Sequence, residues 1–220
     1  MALNLPDTTI FDRKIPKSKF YEKLEVPTDI KKSFVEQIEQ IVWKNKIAPS
    51  TVNIAPGRDV EEIEVIEIRL KGKELDERIL QLIDKDIPYH IIFVLWHADE
   101  VQAWIGFKEK SQAGSGAFKL SAYYHTEWMT YDKLKLQIRL DGLSMDDVYG
   151  NFIIHIAGGN FAQNSGKIDI KDAVERDKKR QKLQKEISAL EKKIQNEKQL
   201  NRQVLLNEEL KRLKTETESI

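Results

Sequence analysis

Residues 62–70, Glu62-Ile63-Glu64-Val65-Ile66-Glu67-Ile68-Arg69-Leu70, constrain the fold more than any other stretch. As an extended strand they place Ile63 and Val65 on one face and Ile66, Ile68 and Leu70 on the other. A strand that is apolar on both sides belongs inside a sheet covered on both faces, so the helices before and after it are its packing partners. Glu67 and Arg69 are the polar passengers on the Ile63 face. They read either as a salt bridge at the strand's exit or as the start of a catalytic site, and residue type alone does not decide.

The flanking pattern builds a body around that strand. Thr28 is placed to cap a helix whose Ile30, Phe34, Ile38, Ile41 and Val42 fall at helical spacing to about Asn45, with Trp43 extending the buried stripe. Thr51 to Ile54 reads as a short strand and residues 56–59 as a turn. A second helix is predicted over 74–84, with Asp76 and Glu77 where a helix favours negative charge. Tyr89 to Trp96 is a strand, turned at 97–100 onto a half-buried partner over 101–107. A glycine-containing loop at 110–117 and a further strand over 119–128 follow. Ser144, with Asp147 three residues on, caps a helix that buries Val148, Tyr149, Phe152, Ile153 and Ile156 and ends at Gly158-Gly159. The expected fold is therefore α/β (α+β): residues 1–159 form a mixed sheet covered by helices, and 160–168 form a linker.

Residues 169–217 are of another kind, with no glycine or proline. Leu183, Ile187, Leu190 and Ile194 step by 4, 3 and 4 as a coiled-coil seam, whose phase continues to Asn201. Leu206, Leu210 and Leu213 resume the spacing in a shifted phase, which predicts either a stutter in one long helix or a hairpin turning near Asn196 to Asn201. Either way these eight residues are the candidate oligomerisation surface. The charge balance separates the two parts. Net charge is zero from 36 basic and 36 acidic residues, but Lys167 to Ile220 holds 15 basic against 11 acidic ones, leaving 21 against 25 in the body. The absence of cysteine excludes disulfides, thiolate zinc sites and a cysteine nucleophile, and fits a reducing cytosol. No apolar run suits a signal peptide or approaches the roughly 20 residues of a membrane span, so a cytoplasmic protein with no membrane partner is expected.

Several stretches carry a resemblance. Ile15-Pro16-Lys17 with Phe20-Tyr21, Trp43-Lys44-Asn45-Lys46-Ile47-Ala48, Thr51-Val52-Asn53, Glu62-Ile63-Glu64-Val65, Ile87-Pro88-Tyr89-His90 and Tyr124-His125-Thr126-Glu127-Trp128 resemble the bacterial domain-of-unknown-function family 4391, as do Val174-Glu175-Arg176-Asp177 and Leu206-Asn207-Glu208-Glu209-Leu210-Lys211 in the tail. The resemblance implies a setting: members tend to be encoded beside DNA methyltransferases and helicases of restriction-type antiviral systems. It transfers no catalytic residues.

Chemistry must then come from the residues themselves. Asp59, Glu67 and Lys71 follow the order of paired acids and a lysine in restriction-type nucleases, where carboxylates hold Mg²⁺ and the lysine positions the attacking water. Arg69 stands where that lysine is expected, and arginine stays protonated, so Lys71 would have to substitute. His97, Asp99 and His125 could meet at one sheet end, but His90, His97, His125 and His155 contain no HExxH arrangement, and core or surface roles outweigh a metal role. Gly166-Lys167 lacks the preceding glycine and strand of a phosphate loop. Arg176, Lys178, Lys179, Arg180, Lys182 and Lys185 form a basic stretch able to contact DNA phosphates without reading sequence, with a solvated helix face as the plainer account. The reading that follows is a non-catalytic assembly or adaptor subunit without cofactor. Its body docks on a larger DNA-processing partner such as a helicase or methyltransferase, and its tail oligomerises or clasps that partner. A nuclease using Mg²⁺ is the alternative.

Overall fold

β3 (Ile63–Leu70) lies inside a seven-stranded sheet in the computed structural model, which describes residues 3–22, 26–110, 118–158, 161 and 169–219. The other strands are β1 (Ile10–Ile15), β2 (Ile38–Ile47), β4 (His90–His97), β5 (Glu100–Lys110), β6 (Phe118–His125) and β7 (Met129–Thr130). They run in the order β1-β2-β3-β4-β5-β6, with β7 paired to β5. β3 and β4 are parallel and the remaining pairs antiparallel, so the sheet is mixed. The parallel step requires a crossover, which α4 (Glu77–Asp86) supplies. Ile66, Ile68 and Leu70 share one buried cluster with Ile79, Leu80 and Ile83 of α4 and with Phe34 of α2 (Thr28–Gln37). Ile63 and Val65, on the opposite face, are equally buried, and α6 (Met145–Ala157) lies against β5 and β6. A mixed α+β fold with both sheet faces covered is what the doubly apolar strand requires.

Three local expectations are corrected. Pro27 occupies the cap position, with no side-chain cap hydrogen bond, and Thr28 is the first helical residue. The helix then stops at Gln37, because Ile38–Ile47 is β2, hydrogen-bonded to β1 on one side and β3 on the other. Ile38, Ile41 and Val42 fit a helical period and a strand equally, and pairing on both edges decides for the strand. The strand expected at 51–54 is instead α3 (Pro49–Val52), which starts on a proline suited to the first helical position and ends at left-handed Asn53, φ 50°.

The remaining elements follow the sequence pattern. Asp76 caps α4 by accepting from Arg78 N at 3.1 Å, and the β4–β5 hairpin turns through Ala98 and Asp99. β6 ends at His125, three residues short of expectation, and the chain continues through β7 into α5 (Tyr131–Gln137). Ser144 and Asp147 form the reciprocal capping box at α6, where Ser144 Oγ accepts from Asp147 N at 3.2 Å and Asp147 Oδ2 from Ser144 N at 3.1 Å. Residues 111–117 of the loop, and all of the 160–168 linker except Phe161, lie outside the described residues, as does Gly159. A short α1 (Ser18–Tyr21) buries Phe20 near the start.

The chain divides into two compact units, 1–159 and 160–220. In the second, α7 (Ile170–Asn196) and α8 (Leu200–Glu218) are separated by three non-helical residues and pack against each other as a hairpin. Leu183, Ile187, Leu190 and Leu213 close its centre, with Ile194, Leu206 and Leu210 around them. Lys179–Glu216 at 3.1 Å and Glu191–Lys214 at 2.8 Å cross between the helices. Among the described residues no helix is long and apolar enough to cross a membrane.

Candidate functional site

The residues nominated for a nuclease do not converge. Asp59 lies ahead of β3, paired with Arg58 at 3.1 Å. Its segment is latched to α6, since Asp146 accepts from the backbone N–H groups of Arg58, Asp59 and Val60 at 2.7 to 3.1 Å. A Cβ at Gly57 would stand 2.5 Å from Asp146 Oδ1, so the latch needs glycine there. Glu67 sits mid-strand, paired with Val42 and Val94. Burial raises its pKa, and the charges of Lys44 and Arg69 oppose that rise. Lys71 is beyond the strand, its Nζ donating to Val35 O at 2.9 Å. Nor do the histidines assemble: His125 stacks on Trp104 with centroids 4.3 Å apart, Asp99 is exposed in the hairpin turn, and His97 pairs in the ladder with Glu100. No three His, Asp or Glu side chains converge as a metal set among the described residues. Gly166-Lys167 lies outside them.

A different acid–lysine group does assemble, where β2 and β3 pair at the start of β3. Glu64 is in phase with Ile66 and faces Lys46 across the ladder. It is fully buried at 0% exposure. Its Oε2 accepts from Trp43 Nε1 at 2.5 Å. Lys46 Nζ lies 2.5 Å from Glu62 Oε2, and the Glu62 carboxyl neighbours that of Glu64. Burial, then the neighbouring Glu62 carboxyl, push the Glu64 carboxyl up to about 9, while Trp43 and Lys46 pull it down. At neutral pH Glu64 is therefore a neutral acid beside the lysine-paired Glu62. Phe11 packs on the Trp43 ring at 4.4 Å, with the Arg13 guanidinium 4.5 Å from the Phe11 centroid.

A second buried polar group is structural. Lys108 Nζ is 2.7 Å from Asp84 Oδ1 and donates to the carbonyls of Asp84 at 2.9 Å and Tyr89 at 2.6 Å. Tyr123 OH donates to Asp84 Oδ2 at 2.6 Å. Burial pushes Asp84 up and Lys108 down, yet three oxygens around the ammonium hold the pair together.

The family described as Domain of unknown function (DUF4391) matches residues 3–216. The chain belongs to the DUF4391 family. No curated protein and no solved structure matches it. In this DUF4391 chain, Trp43 and Lys46, Glu62 and Glu64 come from two of the stretches that carry the resemblance, brought side by side by the β2–β3 pairing. One signal in the sequence marks the group: Glu64 is a carboxylate in phase with Ile66, Ile68 and Leu70, on a face that those residues bury. The partner on β2 was hidden by the helical reading of that segment.

On the DUF4391 tail, the seam residues Leu183, Ile187, Leu190, Ile194, Leu206, Leu210 and Leu213 meet one another inside the hairpin, while Asn201 is exposed. Of the basic stretch, Lys178 pairs with Glu175 at 2.7 Å, Lys179 with Glu216 at 3.1 Å, Arg180 with Asp177 at 3.0 Å and Lys182 with Glu186 at 4.0 Å. Arg176 and Lys185 are exposed.

Proposed function

We propose that the protein is a non-catalytic assembly or adaptor subunit of a bacterial DNA-processing, restriction-type antiviral system, acting in the cytoplasm. The body docks on a larger partner, such as a helicase or DNA methyltransferase, and the helical hairpin mediates partner binding or oligomerisation. One observation carries this reading. With the seam consumed inside the hairpin, α8 still exposes Leu200, Val204 and Leu205, at 73%, 51% and 64%. Leu200 and Val204, at i and i+4, share one helix side with Leu205 at its border, and covering each such side chain would contribute about 1.5 to 3 kcal/mol. The resemblance supplies the DNA-processing setting. DNA contact is backbone-directed through Arg176, Lys178, Lys179, Arg180, Lys182 and Lys185, with Arg176 and Lys185 the most available of them, and so depends on salt.

The test is the triple substitution Leu200→Gln, Val204→Gln, Leu205→Gln. Helical content should persist, while association, read by light scattering and by copurification with the native partner, should fall at least tenfold. Unchanged association would refute the reading. A metal-dependent nuclease is the second reading, favoured by the assembly of paired acids with a lysine at Glu62, Glu64 and Lys46. It requires DNA cleavage with Mg²⁺ or Mn²⁺ that disappears in Glu64→Gln.

A further inference from the structure

The helical hairpin carries two surfaces that its own seam leaves unused, and they complement each other. Along α7 a groove of about 480 Å³ is lined by Gln181, Gln184, Lys185, Ser188, Ala189 and Lys192. These positions recur every three or four residues and form one stripe. At about 3.6 residues per turn, that stripe lies opposite the seam of Leu183, Ile187 and Leu190. The groove is mainly apolar, since Ala189 and the aliphatic stems of glutamine and lysine make most of its wall. Its charges are Lys185 and Lys192, and no acid among the described residues lines it. On α8 the exposed Leu200 and Val204, with Leu205 at their border, likewise lie away from the side of Leu206, Leu210 and Leu213. Glu208 extends that stripe by one turn and is exposed. Among the described residues, none of Lys185, Lys192 and Glu208 has an ion-pair partner.

We infer that the exposed apolar ridge of α8 seats in the α7 groove of a second copy of the chain, an inference that rests on the reading of the hairpin as an assembly element. Ridge and groove lie on opposite sides of one hairpin, so a chain cannot cover its own. Small side chains let two helices approach closely, which places Val204 over Ser188 and Ala189. Lys185 and Lys192 flank that small pair by three or four residues on either side, and Glu208 is four residues from Val204. Glu208 therefore comes beside a lysine whichever way the incoming helix runs, Lys185 if antiparallel and Lys192 if parallel. The stem of the other lysine covers Leu200. Lys211, one turn beyond Glu208 on the ridge, then falls beside uncharged Gln181 in the first case and uncharged Gln195 or Asn196 in the second. A purely basic groove thus receives an apolar ridge whose acid reaches a lysine and whose own lysine avoids both. Each chain offers one ridge and one groove, so the contact is head-to-tail and continues beyond a pair.

The experiment follows the mass of the full chain by light scattering as its concentration is raised. Mass should rise past two chains with no plateau at the dimer. Ser188→Gln with Ala189→Gln fills the groove with a good helix former, and should keep helical content while raising the concentration needed for association about tenfold. Lys185→Glu with Lys192→Glu sets acid against Glu208, and Glu208→Lys sets lysine against lysine. Each should weaken self-association by about threefold, the scale of an exposed charge contact. An equimolar mixture of these two charge variants should associate as the unmodified chain does, because each then meets the opposite charge in the other. A mass that stops at one or two chains, a folded groove variant that associates unchanged, or a mixture no tighter than its parts overturns the inference. The assembly reading fails by a different result. If Leu200→Gln, Val204→Gln, Leu205→Gln loses association while the groove and charge variants do not, assembly stands and a surface other than a second copy's groove covers the ridge.

Discussion

His155 is half-buried on α6, with its Nδ1 enclosed and without a partner among the described residues. Burial lowers its pKa in the fold, and the nearby Asp141 carboxylate only partly offsets that. In the unfolded chain the ring ionises near 6.5. Between that value and the lower folded one the unfolded chain binds more protons, so stability is full above 6.5 and is lost as pH falls through the folded pKa. His155→Leu should therefore lose less stability than the unmodified chain between neutral pH and mildly acid pH, measured as urea midpoints across that range. An equal or steeper loss would show that the ring's burial has no part in the acid response. At this scale the sequence is partly readable. That Glu67 and Arg69 share a face with Ile63 follows from alternation, as does the place of Glu64 on the apolar face of Ile66, but its partners there, Trp43 and Lys46, come from β2 and are not readable locally.

At the scale of elements, the Asp84–Lys108–Tyr123 group joins α4 to β5 and β6 from inside the sheet's helical cover. Gly106 makes the space, since a Cβ there would lie 2.6 Å from Leu120 Cδ1 and 2.9 Å from Asp84 Oδ2. On the other face Tyr149 of α6 bridges the irregularity between Phe107 and Lys108, donating to Gly106 O and accepting from Lys108 N at 3.1 Å. Removing one partner of a buried ion pair leaves the other uncompensated, so Lys108→Met should cost about 3 to 5 kcal/mol. Adding Asp84→Leu should recover part of that cost, because both charges are then gone. Chemical denaturation of the two variants measures this, and a double variant less stable than Lys108→Met would contradict it. The same scale shows where pattern reading fails. β3, β4, β5, α4 and α6 were legible because their period or caps admit one reading. β2 was not, because ten residues with Ile38, Ile41, Val42 and Ile47 satisfy two periods, and only pairing to strands distant in sequence chooses between them. Lys46, on that strand, was hidden with it.

At the scale of the molecule, the body's core is complete within residues 1–159, where β3 is enclosed on both faces. A chain ending at Gly159 should unfold cooperatively, with a midpoint within a few degrees of the full chain's body transition in calorimetry. Loss of cooperative unfolding would mean that the core depends on the tail. The hairpin itself was half legible: the shift of phase after Asn201 signals a break, and packing of one helix on the other selects reversal over a stutter. The sheet's outer border has a consequence of its own. β1 is an edge strand, and its register slips between Ile10 and Arg13, where Asp12 takes φ 47° and Arg13 and Lys14 are exposed. A kinked, charged border is a poor template for a strand from another molecule. Growth of the sheet into fibres or strand-swapped pairs is thereby discouraged on that side, which leaves helical surfaces as the safer means of meeting other proteins.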